Sequence, residues 1–180
     1  VVGVLRGGPS SEYEVSLKSG QTVLRSLPPK YQAKDIFISK NGEWHMDGLV
    51  KLPGQILQAT DVVFNALHGE YGEDGQVQQI LETHRIPYTG SGVFASALAM
   101  SKHLAKKAVI AEGVKTPEYF LVRNSEDPAE VAARIFETFG PPYVVKPTAL
   151  GSSVGVSIVK TIHDLPDVLL DTFSFSDSVL

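Results

Sequence analysis

Cysteine is absent from this 180-residue chain, which excludes disulfides, zinc–thiolate centres and thiol nucleophiles and leaves nothing that points to an oxidising compartment. An excess of positive charge is lacking as well. The 16 Lys and Arg residues stand against 20 Asp and Glu, a formal net charge of −4, so there is no basic field to hold a nucleic acid or an anionic membrane. An anionic ligand must be gripped locally. No apolar run approaches the ~18 residues of a membrane span, and the opening Val1–Leu5 is too short for a signal peptide and lacks its basic start. These absences make the cytoplasm the expected compartment. His45, His68, His84, His103 and His163 show no ligand-like spacing, so a protein-bound transition metal is not expected.

What the chain does contain, 43% hydrophobic and 20% charged residues, is the composition of a globular protein of one large or two small domains. Its start at Val1 rather than Met, and the apolar stretch opening at Val179-Leu180, lead to the expectation that it is a fragment. The first half reads as alternating strands and helices. Val1–Leu5 is a buried strand, broken by Gly7-Gly8-Pro9 before a helix over Glu14–Leu27 with Leu17, Leu24 and Leu27 on one face. Further strands are expected at Asp35–Ser39, around Trp44 after the Asn41-Gly42 turn, and at Val62–Ala66. A helix from Gly75, with Asp74 as N-cap, follows. This rhythm implies a mainly parallel α/β sheet with ligands at the carboxyl ends of its strands.

A boundary is expected near position 90, giving domains 1–90 and 91–180. The second begins with one long helix, Val93–Glu112, closed by Gly113, followed by a strand at Tyr119–Val122. A helix opened by Asp127, with Pro128 at its first position and Glu130 as capping-box partner, then carries Val131, Ile135 and Phe139 toward a core. Strands Tyr143–Lys146 and Val156–Val159, joined by a glycine turn, predict an antiparallel hairpin and hence an α+β second unit.

Three stretches carry chemistry. Lys146 ends a strand and is followed by Gly151-Ser152-Ser153-Val154-Gly155, a turn with two hydroxyls and free N–H groups suited to polyphosphate oxygens. A hairpin loop with a solvated lysine is an equal alternative. His68-Gly69-Glu70-Tyr71-Gly72-Glu73-Asp74-Gly75 follows a strand and can orient a zwitterionic substrate, although Glu73 and Asp74 can equally cap the next helix. Gly7-Gly8-Pro9-Ser10-Ser11-Glu12 occupies the same position after the first strand; a carboxylate there can bind an ammonium group or simply start a helix. A reading of another class comes from Gly90-Ser91-Gly92-Val93-Phe94-Ala95, which spells G-x-G-x-x-A and suggests a dinucleotide-binding module. That reading lacks a proper preceding strand and a ribose-binding acid.

Taken in order, Gly7-Gly8-x-Ser10-x-Glu12-x-Glu14-Val15-Ser16, His68-Gly69-x-x-Gly72-Glu73-Asp74-Gly75, Tyr88-Thr89-Gly90-Ser91-Gly92 with Ser96-Ala97-x-x-Met100-x-Lys102, and Val145-Lys146-Pro147 with Gly151-Ser152-Ser153-Val154-Gly155 resemble the D-alanine:D-alanine ligases of bacterial cell-wall (peptidoglycan) synthesis. The resemblance implies an ATP-grasp fold: an amino-terminal α/β substrate-binding domain and a central α+β lobe, with the carboxyl-terminal lobe absent. It implies ATP and Mg2+ as cofactors, D-alanine as substrate and a possible homodimer, with the magnesium-binding acids in the missing lobe. By resemblance Glu12 holds the ammonium of the first D-alanine and His68 lies beside its carboxylate. Lys102 and Lys146 neutralise ATP phosphates, and Gly151, Ser152 and Ser153 belong to the ATP-binding turn, with Ser152 also linking Glu12 to a closing lid. Gln79 and Ser101 depart from the family pattern without touching these roles. The alternative is a non-catalytic nucleotide-binding module.

Overall fold

The computed structural model describes residues Val1–Leu180 as two compact units, Val1–Leu98 and Ala99–Leu180. The first is built on a five-stranded sheet. Strand β1 (Val2–Gly7) is followed by helix α1 (Tyr13–Ser26), β2 (Ala33–Ile38), β3 (Trp44–Met46), β4 (Leu49–Val50), the short helix α2 (Pro53–Leu57), β5 (Val62–Asn65) and α3 (Gln76–Thr83). The strand order is β4-β3-β2-β1-β5. Strand β1 runs parallel to both neighbours, from Val2 opposite Ala33 to Gly7 opposite Ile38 on one side and from Val2 opposite Val62 to Leu5 opposite Asn65 on the other. Antiparallel β3 and β4 complete one edge, and Tyr88 bridges Val63 beyond β5 at the other.

Because side chains alternate across a strand, β1 feeds two cores. Val2 and Val4 pack under Val23 and Leu24 of α1 and Leu27 at its C-cap, whereas Leu5 joins Ile36, Ile56, Val63 and Leu81 on the opposite face. Parallel strands covered on both faces read as apolar runs, which is why β1 was legible as buried. The expected leucine face of α1 is only half the account. The residues of α1 that are themselves buried are Ser16 and Gly20, and Gly20 lies so close to β1 that a methyl group there would sit 2.5 Å from Arg6 Cβ. Small residues set the approach of helix to sheet, and the leucines flank it. At α3, Gly75 takes the N-cap position in place of Asp74, yet Asp74 still accepts the Gln76 N–H through Oδ1 at 3.0 Å.

The second unit begins within the segment read as a single helix. That segment is two helices, α4 (Val93–Met100) and α5 (Lys102–Ala111), because Ser101 adopts an extended conformation and its hydroxyl accepts the Leu104 N–H as an N-cap. The first compact unit runs to Leu98, because α4 lies over the start of α3, with Val93 O and Ala97 Cβ close to Gly75. The expected strand Tyr119–Val122 shrinks to β6 (Val122–Arg123). After α6 (Pro128–Thr138) come β7 (Tyr143–Val145), β8 (Ser157–Val159), α7 (Leu165–Phe173) and β9 (Ser178–Val179). Strands β7 and β8 form the expected antiparallel hairpin. Strand β9 pairs with β6, and its end joins the extension of β7 through Pro147 opposite Val179 and reciprocal Lys146–Leu180 hydrogen bonds. Helices α6 and α7 cover one face, burying Val131, Ile135, Leu165 and Leu169 against Tyr143 and Val145.

Asp127 caps α6 through Oδ1, which accepts from Ala129 and Glu130 N–H at 2.9 and 3.0 Å; Glu130 returns no side-chain bond. Asp127→Ala is expected to destabilise this unit by about 1 kcal/mol, read as a shift in urea midpoint at unchanged slope. An unchanged midpoint would show the cap to be idle.

Candidate functional site

Two polar clusters stand out, one in each unit. In the first, β1 and β5 lie side by side while the chain leaves them toward opposite halves of the sheet, which makes their carboxyl ends a topological switch point where open α/β sheets place ligands. Ser16, fully buried in α1, ties the two ends together: its Oγ accepts the Gly7 N–H at 2.8 Å and donates to the Ala66 carbonyl at 2.8 Å. Ser10 repeats the device one layer out, donating to the His68 carbonyl at 2.6 Å and accepting the Glu12 N–H at 3.1 Å. Asn65 and Gln78 both donate to the Gly72 carbonyl at 2.8 Å and so shape the loop 66–75.

These latches bring Glu12 and His68, 56 positions apart in the chain, to the same turn. Glu12 stands at the N-cap of α1 but makes no capping bond through its side chain, and its carboxylate lies against Gly69. The His68 ring sits between Ser19, with Oγ 2.9 Å from Nε2, and Glu73, with Oε1 4.0 Å from Nδ1. Glu73 also accepts the Gly69 N–H at 2.8 Å. Of the two acids read as possible caps, Asp74 is engaged by the Tyr71 and Gln76 N–H groups at the helix start, and Glu73 turns toward the histidine. Carboxylate and imidazole on one partly open turn suit a small zwitterion, whose ammonium pairs with the acid and whose carboxylate accepts from the ring.

Gly69 is essential to this geometry. Its φ is +69°, and a methyl group there would lie 2.8 Å from Glu12 Oε2 and 3.3 Å from Ser10 Cβ, so both backbone and space require glycine. Gly69→Ala is expected to displace the Glu12 carboxylate and to cost about 1–3 kcal/mol of stability through left-handed strain and overlap. Thermal melting together with the Glu12 carboxyl NMR shift checks this, and no change in either would contradict the packing described.

In the second unit the break at Ser101 places Lys102 at the first turn of α5. Its N–H donates to the Thr148 carbonyl at 2.8 Å, and its ammonium donates to the Leu150 carbonyl just before the glycine turn. Burial, and then the charge of Lys146, push the Lys102 ammonium below the usual lysine range. The same two causes lower Lys106, whose Nζ donates to the Pro117 carbonyl at 2.9 Å and rests over the Tyr119 ring, 4.9 Å from its centroid. Two ammonium groups partly out of water and each repelled by Lys146 are a local excess of positive charge that a polyanion would relieve. Beside them, Ser152 adopts a φ of +55° and Gly155 one of +67°, and no backbone N–H from Gly151 to Gly155 has an acceptor within the protein. The Ser152 and Ser153 side chains are likewise without partners and exposed. N–H groups and hydroxyls without protein partners in one turn are able to donate together to an anion.

The residues missed by motif reading lie on the outer face of the hairpin. Val144 and Ile158 stand opposite each other in register, 53% and 70% exposed. Lys146 occupies the next outward position along the same strand. The signal was present as period-two alternation, since Tyr143 and Val145 are buried and Val144 is not. Lys106, Ser19, Asn65 and Gln78 were also missed; single polar residues on helices and strands carry no local pattern. The dinucleotide reading does not survive: α3 and a single bridge residue, Tyr88, in place of a strand lead into Gly90, and the first N–H of α4 meets the Glu82 carboxylate at 3.4 Å, a like charge for any pyrophosphate.

An open, mainly parallel sheet with its polar cluster at the switch point, and a separate antiparallel unit with a lysine cluster beside a glycine turn, define a two-unit α/β protein. Residues 1–55 and 50–91 match the family model of the D-ala D-ala ligase N-terminus, and residues 109–180 match that of the D-ala D-ala ligase C-terminus. The chain belongs to the D-alanine–D-alanine ligase family. It is 46% identical to the D-alanine–D-alanine ligase of Geobacter sulfurreducens over 99% of its own length and 53% of that protein, and 45% identical to that of Caulobacter vibrioides over 99% and 52%. Among solved structures it resembles the D-alanine–D-alanine ligase of Coxiella burnetii, with a TM-score of 0.88 and 27% identity over 99% of this chain and 61% of that one. It also resembles the VanG D-Ala:D-Ser ligase of Enterococcus faecalis, with a TM-score of 0.83 and 28% identity. The chain spans about half the length of the curated relatives it matches.

Proposed function

We propose that the chain provides the amino-terminal substrate-binding domain and the central ATP-grasp lobe of an ATP-dependent ligase that joins two D-alanines for peptidoglycan synthesis. The observation that carries this reading is the meeting of Glu12 and His68 at the Gly69 turn. There, Glu12 pairs with the ammonium of the first D-alanine and His68 meets its carboxylate. In the second unit, Lys102 and Lys146 neutralise the phosphates of ATP, while the N–H groups of the Gly151–Gly155 turn and the Ser152 and Ser153 hydroxyls donate to their oxygens. The apolar outer face of Val144 and Ile158 offers a flat platform for the adenine ring.

In the reaction, a carboxylate oxygen of the first D-alanine attacks the γ-phosphorus and the bond to ADP breaks, giving an acyl phosphate. The amine of a second D-alanine then attacks the acyl carbon, loses a proton and expels phosphate. Fixed cations and N–H donors aimed at the transferring phosphoryl group are the main source of acceleration in such steps. Mg2+ supplies further charge neutralisation when bound; on this reading its ligands and the pocket for the second D-alanine are contributed by parts of the enzyme outside these 180 residues.

The test is phosphate release by a full-length ligase containing this chain. Release should depend on D-alanine, and nucleotide binding with no release on adding D-alanine would leave only a nucleotide-binding module. The 180 residues alone should fold and bind nucleotide weakly without turnover, because the positioning that supplies about 7–11 kcal/mol in a two-substrate reaction is incomplete. Turnover of about 1 per second by the chain alone would overturn that division of labour.

A further inference from the structure

The two groups that flank the His68 ring differ in what they can do. Ser19, one helical turn after buried Ser16 on α1, places Oγ 2.9 Å from Nε2. On the other side Nδ1 faces Glu73, 4.0 Å from Oε1, while Oε2 of the same carboxylate accepts the Gly69 N–H at 2.8 Å. An ionised carboxylate only accepts hydrogen bonds, so this side calls for a proton on Nδ1. A serine hydroxyl can donate or accept, but the Ser19 proton has no other acceptor. Thr22, farther along the same helix, turns its hydroxyl back to the Lys18 carbonyl at 3.0 Å, whereas Ser19 makes no such bond. Both flanks therefore select one neutral tautomer, with the proton on Nδ1 and Nε2 accepting from Ser19. Glu73 is the carboxylate beside the ring, and Glu12 lies against the adjoining Gly69.

We infer that Ser19 is a positioning residue for His68: by donating to Nε2 it holds the imidazole as the Nδ1–H tautomer and turns an N–H donor, not a lone pair, toward the Glu73 side of the turn. The tautomer assignment stands on these contacts alone; its consequence, that a substrate carboxylate beside His68 meets a donor, rests on the proposed D-alanine site. The closest relatives in kind are metal-bound and triad histidines, whose far nitrogen is fixed by a hydrogen bond that decides what the near one does.

Long-range 1H–15N spectra of the 180-residue chain at about pH 8, where an ordinary imidazole is neutral, read the tautomer of His68 from its two nitrogen shifts, with His68→Gln assigning the signals. The wild type should be mainly Nδ1–H. Ser19→Ala should move the ring toward Nε2–H, the form favoured by an unconstrained imidazole in water, and Ser19→Thr should restore the wild-type spectrum. A wild-type ring that is mainly Nε2–H, or an alanine variant that stays Nδ1–H, overturns the inference. If Ser19→Ala loses its dispersed amide spectrum, Ser19→Cys, a much weaker donor, takes its place with the same two readings. Titration with D-alanine separates this from the functional reading. Ser19→Ala should bind D-alanine about three- to tenfold more weakly, the range of one neutral hydrogen bond, and equal affinity in the two proteins counts against the positioning role. Absence of any D-alanine response at His68 in the wild type removes the substrate reading instead and leaves the tautomer assignment to its own spectra.

Discussion

Lys146→Ala, introduced into a full-length ligase containing this chain, is expected to lower kcat by about ten- to a hundredfold or more, because cationic contacts to a transferring phosphoryl group are worth several kcal/mol. The structure gives the reason for singling out this lysine. Lys102 is tied to the Leu150 carbonyl and Lys106 to the Pro117 carbonyl, whereas the Lys146 ammonium has no protein acceptor and lowers the proton affinity of both neighbours. Its backbone is clamped by two hydrogen bonds to Leu180, so the head group projects from a fixed strand. Removing it takes away the one free cation of the cluster. Steady-state kinetics with varied ATP decide the matter: near-native kcat and KM would make Lys146 an ordinary solvated side chain.

Ser16→Ala is expected to have the largest effect on stability of any single conservative change in the first unit. Ser16 is completely buried, and its hydroxyl both accepts from Gly7 N–H and donates to the Ala66 carbonyl, each at 2.8 Å. Alanine fills nearly the same space but strands two backbone groups away from water, at about 1–3 kcal/mol each. A total of about 2–6 kcal/mol corresponds to a fall in melting midpoint of about 10 °C or more for a unit of this size. The loss has a functional side, because these bonds hold the ends of β1 and β5 in the relation that brings Glu12 to His68. Ser152→Ala, in the exposed turn, serves as the control and should melt like the wild type. A Ser16→Ala midpoint within about 2 °C of the wild type, under one kcal/mol on that scale, would mean that another donor and acceptor replace the hydroxyl.

The helix α1 shows where reading along the chain reaches its limit. Its extent was legible to within a residue at either end from a 3.6-residue period, and of the expected Leu17, Leu24 and Leu27 the last two pack on the sheet, joined by Val23. Ser16 and Ser19, which hydrogen-bond to Gly7, to Ala66 and to the His68 ring, have no such signature. A serine on a helix looks the same whether it faces water, its own backbone or, as with Ser19, a histidine 49 positions away. The same holds for the division of the segment 93–111. An alanine-rich apolar run reads as one helix by propensity, and a single serine hydroxyl with an extended backbone at Ser101 is enough to split it. That split directs Lys102 to the Leu150 carbonyl.

By itself, the sequence determined the α/β class, the buried first strand, the antiparallel hairpin after Tyr143, the Asp127 cap, and the four ordered motifs that place the chain in its family. These rest on periodicity, turn chemistry and caps, which act between residues a few positions apart. Only the tertiary structure decided that Asp74 serves the helix while Glu73 turns to His68, that Ser16 and Ser10 latch the two loops, and that Val144 and Ile158 share an open face. Those outcomes depend on which strands lie side by side and on which hydrogen-bonding groups are left over once they do. Strand order is chosen by the packing of whole faces, so no short stretch of sequence records that Glu12 and His68 will meet.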